Sequence, residues 1–357
     1  MKSESVDRAE LFRIAKCFAV DGIPSDIRPV GNGHINDTYL VDLPEACILQ
    51  RINDKVFRSP VSLMENIVRV TDHLKEVSCK NGRDEEGGSE YPLRFIPCRD
   101  GGYICRSGSG YWRMMNFVEN SYSCDTVTDA AQFREIGRAY GAFINDMADF
   151  PAGELHETIA GFHDTRRRFD DLLAAVRKDP CVRKTLAQEE IRFALEHEKY
   201  VDILNDYMAR GELPLRVTHN DTKINNVLLD RDTGRALCVI DLDTVMPGLA
   251  VNDFGDAIRS GAATGREDEK DADSVRLDLE LYEAFRAGFI EGCPSLTDKE
   301  IEMLPVGAKI MTLECGMRFL TDYLEGDWYY KTDYDDHNLI RCRTQFRLLR
   351  DMEDKQL

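Results

Sequence analysis

Three short segments near the start of the chain read as strands: IRPV at Ile27–Val30, TYLV at Thr38–Val41 and CILQRI at Cys47–Ile52. A Gly/Asn turn at residues 31–33 and a second turn at Leu43-Pro44-Glu45 separate them. Residues 8–20 read as a helix before them. From Pro60 to Lys75 the period changes, and Leu63, Ile67, Val70 and Leu74 fall on one helical face. Lys80 to Glu90 mixes Asn, Gly, Ser and charges and reads as a surface loop, followed by strand candidates at Leu93–Pro97 and Tyr111–Val118. After Glu119 helical spacing dominates, over Ala130–Asn145, Thr165–Lys178, Gln188–Ala209, Val275–Glu291 and Lys299–Leu324. One hairpin interrupts these helices: Val227–Leu229, a turn at Arg231–Gly234, then Leu237–Ile240. No internal repeat is found. A β-rich first third and a helical remainder predict an α+β fold of two lobes, divided as residues 1–118 and 119–357.

With 357 residues, 43% of them apolar, the chain can bury a sizeable core. No apolar run approaches the roughly 18–20 residues of a membrane span. The N-terminal MKSESVDRAELFRIAKCFAV lacks the continuous apolar centre of a signal peptide. The 11 cysteines are scattered, odd in number and without a CxxC, which suits free buried thiols. These features predict a cytoplasmic protein with no membrane partner. Acidic residues outnumber basic ones 65 to 46, a net charge of −19, which argues against a nucleic-acid partner. The one tight basic run, Arg166-Arg167-Arg168, lies beside Asp164, Asp170 and Asp171 and reads as a solvated helix face.

The chemistry concentrates in VTHNDTKINNVLLDRDTGRALCVIDLD, Val217 to Asp243. His219-x-Asp221-x-Lys223-x-x-Asn226, two short apolar runs and Asp241 have the spacing that arranges a base, a cation and two magnesium ligands around a γ-phosphate. Asp221 is the candidate base for an attacking hydroxyl. Lys223 could offset charge on the transferred phosphoryl group. Asn226 and Asp241 offer the hard oxygens that magnesium takes, with Asp243 a further ligand or water organiser. His219 reads as a brace of the loop. Asp253-Phe254-Gly255 spells the metal-binding motif of protein kinases, but only Asp241 directly follows the second hairpin strand. Asp253 is therefore read as a helix cap or loop brace.

HNDTKINN with VIDLDTVMPGLAVNDFGDAIR resembles the aminoglycoside phosphotransferase and choline kinase superfamily. VGNGHINDTYLV, ILQRIN, LMENI and MRFLTDYLEGD are similar to its N-acetylhexosamine 1-kinase branch. The resemblance spans nearly the whole chain. It implies a protein-kinase-like fold with an N-lobe sheet and helix, a hinge, a helical C-lobe, and ATP with Mg2+ between the lobes. There is no GxGxxG, and Gly31, Asn32 and Gly33 take the first turn, where backbone N–H groups would approach phosphates. There is no VAIK lysine either. Arg51 would replace it and Glu65 would orient it, unless the strand register turns Gln50 inward instead. Met114–Val118, with Met115 and Phe117, would be the hinge that holds adenine through its backbone.

The resemblance further implies a small-molecule sugar acceptor, phosphorylated at the anomeric hydroxyl to give an α-1-phosphate. Arg318 in GMRFLTDYLEGDWYY is the expected donor to sugar hydroxyls, with Tyr323, Asp322 and Trp328 available for stacking or accepting. Asp221 would itself touch the acceptor. A kinase of another small alcohol, such as an aminoglycoside, choline or unacetylated hexose, is the alternative, and the acidic Asp333–Asp336 segment would suit a cationic acceptor. An inactive nucleotide-binding module is the alternative of another class. Epimer preference is not legible, and a monomer is the expected state.

Overall fold

The computed structural model describes residues 6–31, 35–80, 92–127 and 129–357. The chain forms two compact units. One comprises Met1–Tyr122 with Gly153–Ile159 and Leu228–Met246; the other comprises Ser123–Ala152, Ala160–Val227 and Pro247–Leu357.

The first unit is built on an antiparallel sheet of β1 (Asp26–Pro29), β2 (Asp37–Asp42), β3 (Cys47–Ile52), β4 (Phe95–Ile96), β5 (Cys105–Ser107) and β6 (Gly110–Asn116). The strand order is β1-β2-β3-β6-β4, with β5 also on β6. Alternation along β3 decides which residues share a face. Cys47 and Leu49 turn into a core with Ile27, Val41, Trp112 and Met114. Gln50 lies opposite Thr38 on one side and Arg113 on the other, and Arg51 lies opposite Asp37. Helix α1 (Arg8–Ala15) is shorter than the expected 8–20, because Phe18 bridges to Cys98 and the Ala19 N–H donates to Pro97 O at 2.8 Å. Helix α2 (Pro60–Lys80) buries the expected stripe of Leu63, Ile67, Val70 and Leu74. The reading of a surface loop over Lys80–Glu90 falls, apart from Lys80, outside the described residues. The short β7 (Ser121–Tyr122) pairs with the hairpin of β9 (Val227–Asp230) and β10 (Ala236–Val239). Asp230 closes that hairpin by accepting the N–H groups of Asp232 and Thr233 at 3.1 and 2.8 Å.

The second unit is helical: α3 (Ala130–Asp146), α4 (Thr165–Lys178), α5 (Gln188–Glu196), α6 (Ile203–Ala209), α7 (Ala250–Gly261), α8 (Leu279–Gly292), α9 (Asp298–Glu325) and α10 (His337–Asp354). Two short strands, β8 (Arg216–Thr218) and β11 (Met246–Gly248), pair beside them. The single helix expected over 188–209 is broken at His197. Its ring stacks on Phe193 at 3.9 Å and bonds the Phe193 carbonyl, so the chain turns through a 3-10 segment before α6. The helix expected from Val275 starts at Leu279, where Asp278 caps it by accepting the Leu281 N–H at 3.1 Å. Helix α10 is an addition to the sequence reading. Its buried Leu339, Cys342, Phe346 and Leu349 recur at helical spacing and join Leu313, Phe319 and Leu320 of α9 in one core. All 11 cysteines are free thiols. Among the described residues no helix is long and apolar enough to cross a membrane.

Candidate active site

The loop after β8 is held by its backbone. Asp253, near the start of α7, accepts the N–H of His219 at 2.8 Å and that of Asn220 at 2.7 Å. Thr222 donates its hydroxyl to the Asp253 carbonyl at 2.6 Å and its N–H to Asp256 at 3.0 Å. Burial pushes Asp253 up to about 6, against the pull of His219 and the two amides. Burial also acts on Asp256, but the Arg259 guanidinium, 2.7 Å away, outweighs it and holds that carboxylate below its ordinary range. Asp253-Phe254-Gly255 thus has three structural duties. Asp253 braces the loop and does not cap α7. Phe254 packs among Tyr282, Phe285 and Phe289. Gly255 admits α9, since a Cβ there would lie 2.4 Å from the Gly307 carbonyl oxygen. Gly248 is equally constrained, because a Cβ would meet the Thr218 hydroxyl at 2.2 Å.

Within this braced loop Asp221 meets the Lys223 ammonium at 3.0 Å. The Lys223 carbonyl accepts the Tyr140 hydroxyl at 2.7 Å. His219 is fully buried, and its Nδ1 accepts the Asp221 N–H at 3.3 Å. The Asn226 Nδ2 donates to the Asp221 carbonyl at 2.9 Å, leaving the amide oxygen as the group able to bind a cation. Asn220, immediately before Asp221, is in the left-handed region with φ 63°, and Asp241 after the hairpin has φ 60°. Such conformations are uncommon outside glycine and persist where the surroundings fix them. For Asn220 the surroundings include His163, whose Nε2 lies 3.0 Å from the Asn220 carbonyl while its Nδ1 faces Glu314 at 2.9 Å. Asp241 is solvent-exposed. An amide oxygen and an exposed carboxylate are hard ligands, so Asn226 and Asp241 fit magnesium by donor type.

In the first unit the charges pair differently from the sequence expectation. Arg51 donates to Asp37 at 2.7 Å and to the Ser109 carbonyl at 3.4 Å, because the β2–β3 register sets Asp37 directly opposite it. Glu65 meets His156 at 2.7 Å, so Arg51 and Glu65 are not brought together. The buried cation is Arg113 on β6, only 2% exposed. It bonds Gln50 at 2.8 and 3.0 Å and forms an ion pair with Asp243. The second Asp243 oxygen accepts from Asn36 at 2.6 Å. Asp243, read from the sequence as a further metal ligand, is 3% exposed with a protein partner on each oxygen, which is the setting of a structural carboxylate. Sequence reasoning missed Arg113, and the β3–β6 register is what reveals it. Gly31 turns with φ 78°, while Asn32 and Gly33 lie outside the described residues. Met115 sits inside β6, paired with Ile48 and Phe95, and the Phe117 N–H donates to Ala46 O at 2.9 Å.

Arg318 of α9 is not a surface arginine. Its guanidinium lies over Phe162, Tyr329 and Tyr330 at 5.3, 5.9 and 5.8 Å, and no carboxylate of the described residues pairs with it. Arg168, expected on a solvated face, turns inward and donates to the Phe162 carbonyl at 2.9 Å. Burial, and next the Arg318 charge, push Arg168 below its ordinary range. Its Nε is buried without a hydrogen-bond partner among the described residues. Tyr323 belongs to the helical core at 1% exposure, under Arg183 and against Asp336, and does not join Arg318. Asp322 spends its carboxylate on the N–H groups of Trp328, Tyr329 and Tyr330 and on Asn338.

A family model described as the phosphotransferase enzyme family matches residues 26–287. The chain belongs to this family. Solved structures of the same fold include a spectinomycin phosphotransferase in complex with ADP and spectinomycin, at 12% identity and TM-score 0.60, covering 99% of this chain and 100% of that one. A choline kinase of Cryptosporidium parvum Iowa II matches at 13% identity and TM-score 0.57, over 98% and 96%. An amicoumacin kinase in complex with AMP-PNP, Ca2+ and Ami matches at 12% identity and TM-score 0.61, over 98% and 94%. The phosphotransferase family fold agrees with the α+β reading of the sequence.

Proposed function

We propose that this phosphotransferase is an ATP- and magnesium-dependent sugar kinase that acts on the anomeric hydroxyl of N-acetylhexosamines. The observation that carries the kinase reading is the braced loop, which presents Asp221 and Lys223 together from a backbone pinned by Asp253 and Asp256. Phosphoryl transfer asks mainly for such positioning and charge compensation. In this reading Asp221 accepts the hydroxyl proton at its carboxylate while Lys223 turns to the phosphoryl group. By donor type Asn226 and Asp241 would each suit the magnesium ion, which supplies charge neutralisation on the phosphates when bound. Asp243 and Arg113 brace the segment after Asp241.

The acceptor side is supported by Arg318 and Arg168. Two guanidinium groups that form no close ion pair with a carboxylate among the described residues suit a neutral acceptor rich in oxygen, such as an acetamido sugar. They disfavour a cation. The rings that would cage a quaternary ammonium already carry the Arg318 charge. The test is ADP release with a panel of N-acetylglucosamine, N-acetylgalactosamine, glucose, galactose, choline and an aminoglycoside, followed by phosphorus NMR of the product. An acid-labile α-1-phosphate from the acetamido sugars is expected. A 6-phosphate refutes the anomeric assignment, and turnover of the amines alone refutes the acceptor class.

A further inference from the structure

We propose that His163 acts as a doubly protonated positioning residue that fixes the peptide preceding Asp221 and ties the catalytic loop to the acceptor helix. The inference rests on the reading of Asp221 as the base. Both ring nitrogens of His163 face oxygens that can only accept. Nδ1 is 2.9 Å from Glu314 Oε1, and Nε2 is 3.0 Å from the Asn220 carbonyl. The other Glu314 oxygen accepts the Thr165 hydroxyl at 2.7 Å. Burial opposes the charge on Glu314, but His163, Arg318 and Thr165 outweigh it and hold the group below its ordinary range, as a carboxylate. A neutral imidazole has one N–H, and one of its nitrogens would set a lone pair against an oxygen. Only the imidazolium satisfies both contacts.

The setting makes this strict. The side chains of His163 and Glu314 are 8% and 1% exposed, so water does not replace a lost bond. Glu314 faces the ring from α9, and the charges of Asp253 and Asp256 reach it from α7. Arg318, one turn beyond Glu314 on the same helix, acts on Glu314, and Phe162 packs against the ring at 4.6 Å. Burial opposes the charge on His163, yet Glu314 and the Asn220 carbonyl outweigh it and hold the ring above its ordinary value.

The mechanical consequence lies one residue away. Asn220 has its N–H on Asp253 and its carbonyl on His163, so both peptide groups of a left-handed residue are held. Asp221 follows directly. A raised folded-state pKa means that the stabilisation is complete below the unfolded value and is lost as pH rises through the folded one. Turnover should therefore fall on the alkaline side as His163 loses its proton. A histidine needed in its neutral form would give the opposite slope.

Two measurements test this. NMR of protein labelled with 15N-histidine, with His163 assigned by its absence in His163→Gln, should show both ring nitrogens protonated at pH 7 and a titration above the ordinary range. Glu314→Gln should bring its titration down toward the ordinary ~6.5. A neutral ring at pH 7 in the wild type overturns the proposal. In kinetics with N-acetylglucosamine, His163→Ala should lower kcat by on the order of ten- to a hundredfold while the KM for Mg-ATP stays within about threefold. His163→Gln, whose amide nitrogen offers two N–H donors without a titrating proton, should recover most of kcat and lose the alkaline limb. A folded His163→Ala with wild-type kcat, or a His163→Gln that keeps the limb, also overturns it. If the wild type does not turn over N-acetylglucosamine, only the acceptor reading fails, and the NMR experiment still decides on His163.

Discussion

The loop carrying Asp221 and the network around Asp243 both place a carboxylate among buried polar groups, but they do so by opposite means. In the loop the burden falls on backbone groups. Asp253 and Asp256 take the amides of His219, Asn220 and Thr222, and among the described residues the Asp221 carboxylate faces Lys223 alone. Around Asp243 the burden falls on side chains, with Arg113 and Asn36 closing over the carboxylate and Gln50 holding Arg113. A group held by the loop's backbone remains available for chemistry. A group whose own oxygens are consumed becomes part of the scaffold.

The sharpest way to break this contrast is Asp221→Asn. A positioned general base contributes roughly 10²–10⁴-fold, so kcat should fall by that order, with Mg-ATP affinity changed by no more than a few-fold and the melting temperature nearly constant. Near wild-type kcat would remove Asp221 from the chemistry. The matching experiment on the scaffold is Arg113→Met. It leaves Asp243 charged at 3% exposure, and breaking such a buried pair costs about 3–5 kcal/mol. Chemical denaturation should show that loss, and Arg113→Met/Asp243→Asn should recover part of it. If the double variant is no better than additive, the two residues are not energetically coupled.

The next prediction sets Asp241 against Asp253. Asp241→Ala should abolish magnesium-dependent nucleotide binding in calorimetry and leave stability within about 1 kcal/mol, because the residue is exposed. Asp253→Ala should do the reverse. It strips two buried N–H groups of their acceptor, at about 1–3 kcal/mol for each group left unsatisfied. Normal metal binding in the first variant and its loss in the second would exchange their roles.

Legibility followed the same division. The loop spacing from His219 to Asn226, and the position of Asp241 after the hairpin, could be read because local sequence separation fixes them. The hairpin itself was legible from its turn, where Asp230 and Gly234 do the work seen in the structure. Arg113 was not legible, because its role depends on the β3–β6 register that sets it opposite Gln50, 63 residues away. The same register argument undid the pairing of Arg51 with Glu65. His163 and Glu314 are 151 residues apart, and no local pattern joins them. Helix α10 could have been read from Leu339, Cys342, Phe346 and Leu349, but the arginines between them masked the stripe. Tyr323 was read from the family resemblance as available to the acceptor alongside Arg318. Helical geometry separates the two, since residues five apart do not share a face.

The smallest expected effect is also the most discriminating for the first unit. Glu65 and His156 form a pair whose side chains are 53% and 46% exposed. Exposed pairs of this kind contribute about 0.2–1 kcal/mol, because water screens them and two side chains lose freedom. Glu65→Gln should therefore shift stability by less than about 1 kcal/mol and leave the KM for Mg-ATP unchanged. The alternative is that Glu65 leaves His156 and orients Arg51 when nucleotide binds. In that case stability would still barely change, but the KM for Mg-ATP would rise severalfold, and Arg51→Ala would show the same rise. Measuring both variants across a magnesium titration distinguishes the outcomes. A flat response in both assigns Arg51 to Asp37 and Glu65 to His156 throughout turnover. A shared rise means that the β2–β3 pairing holds Arg51 only until nucleotide draws it away.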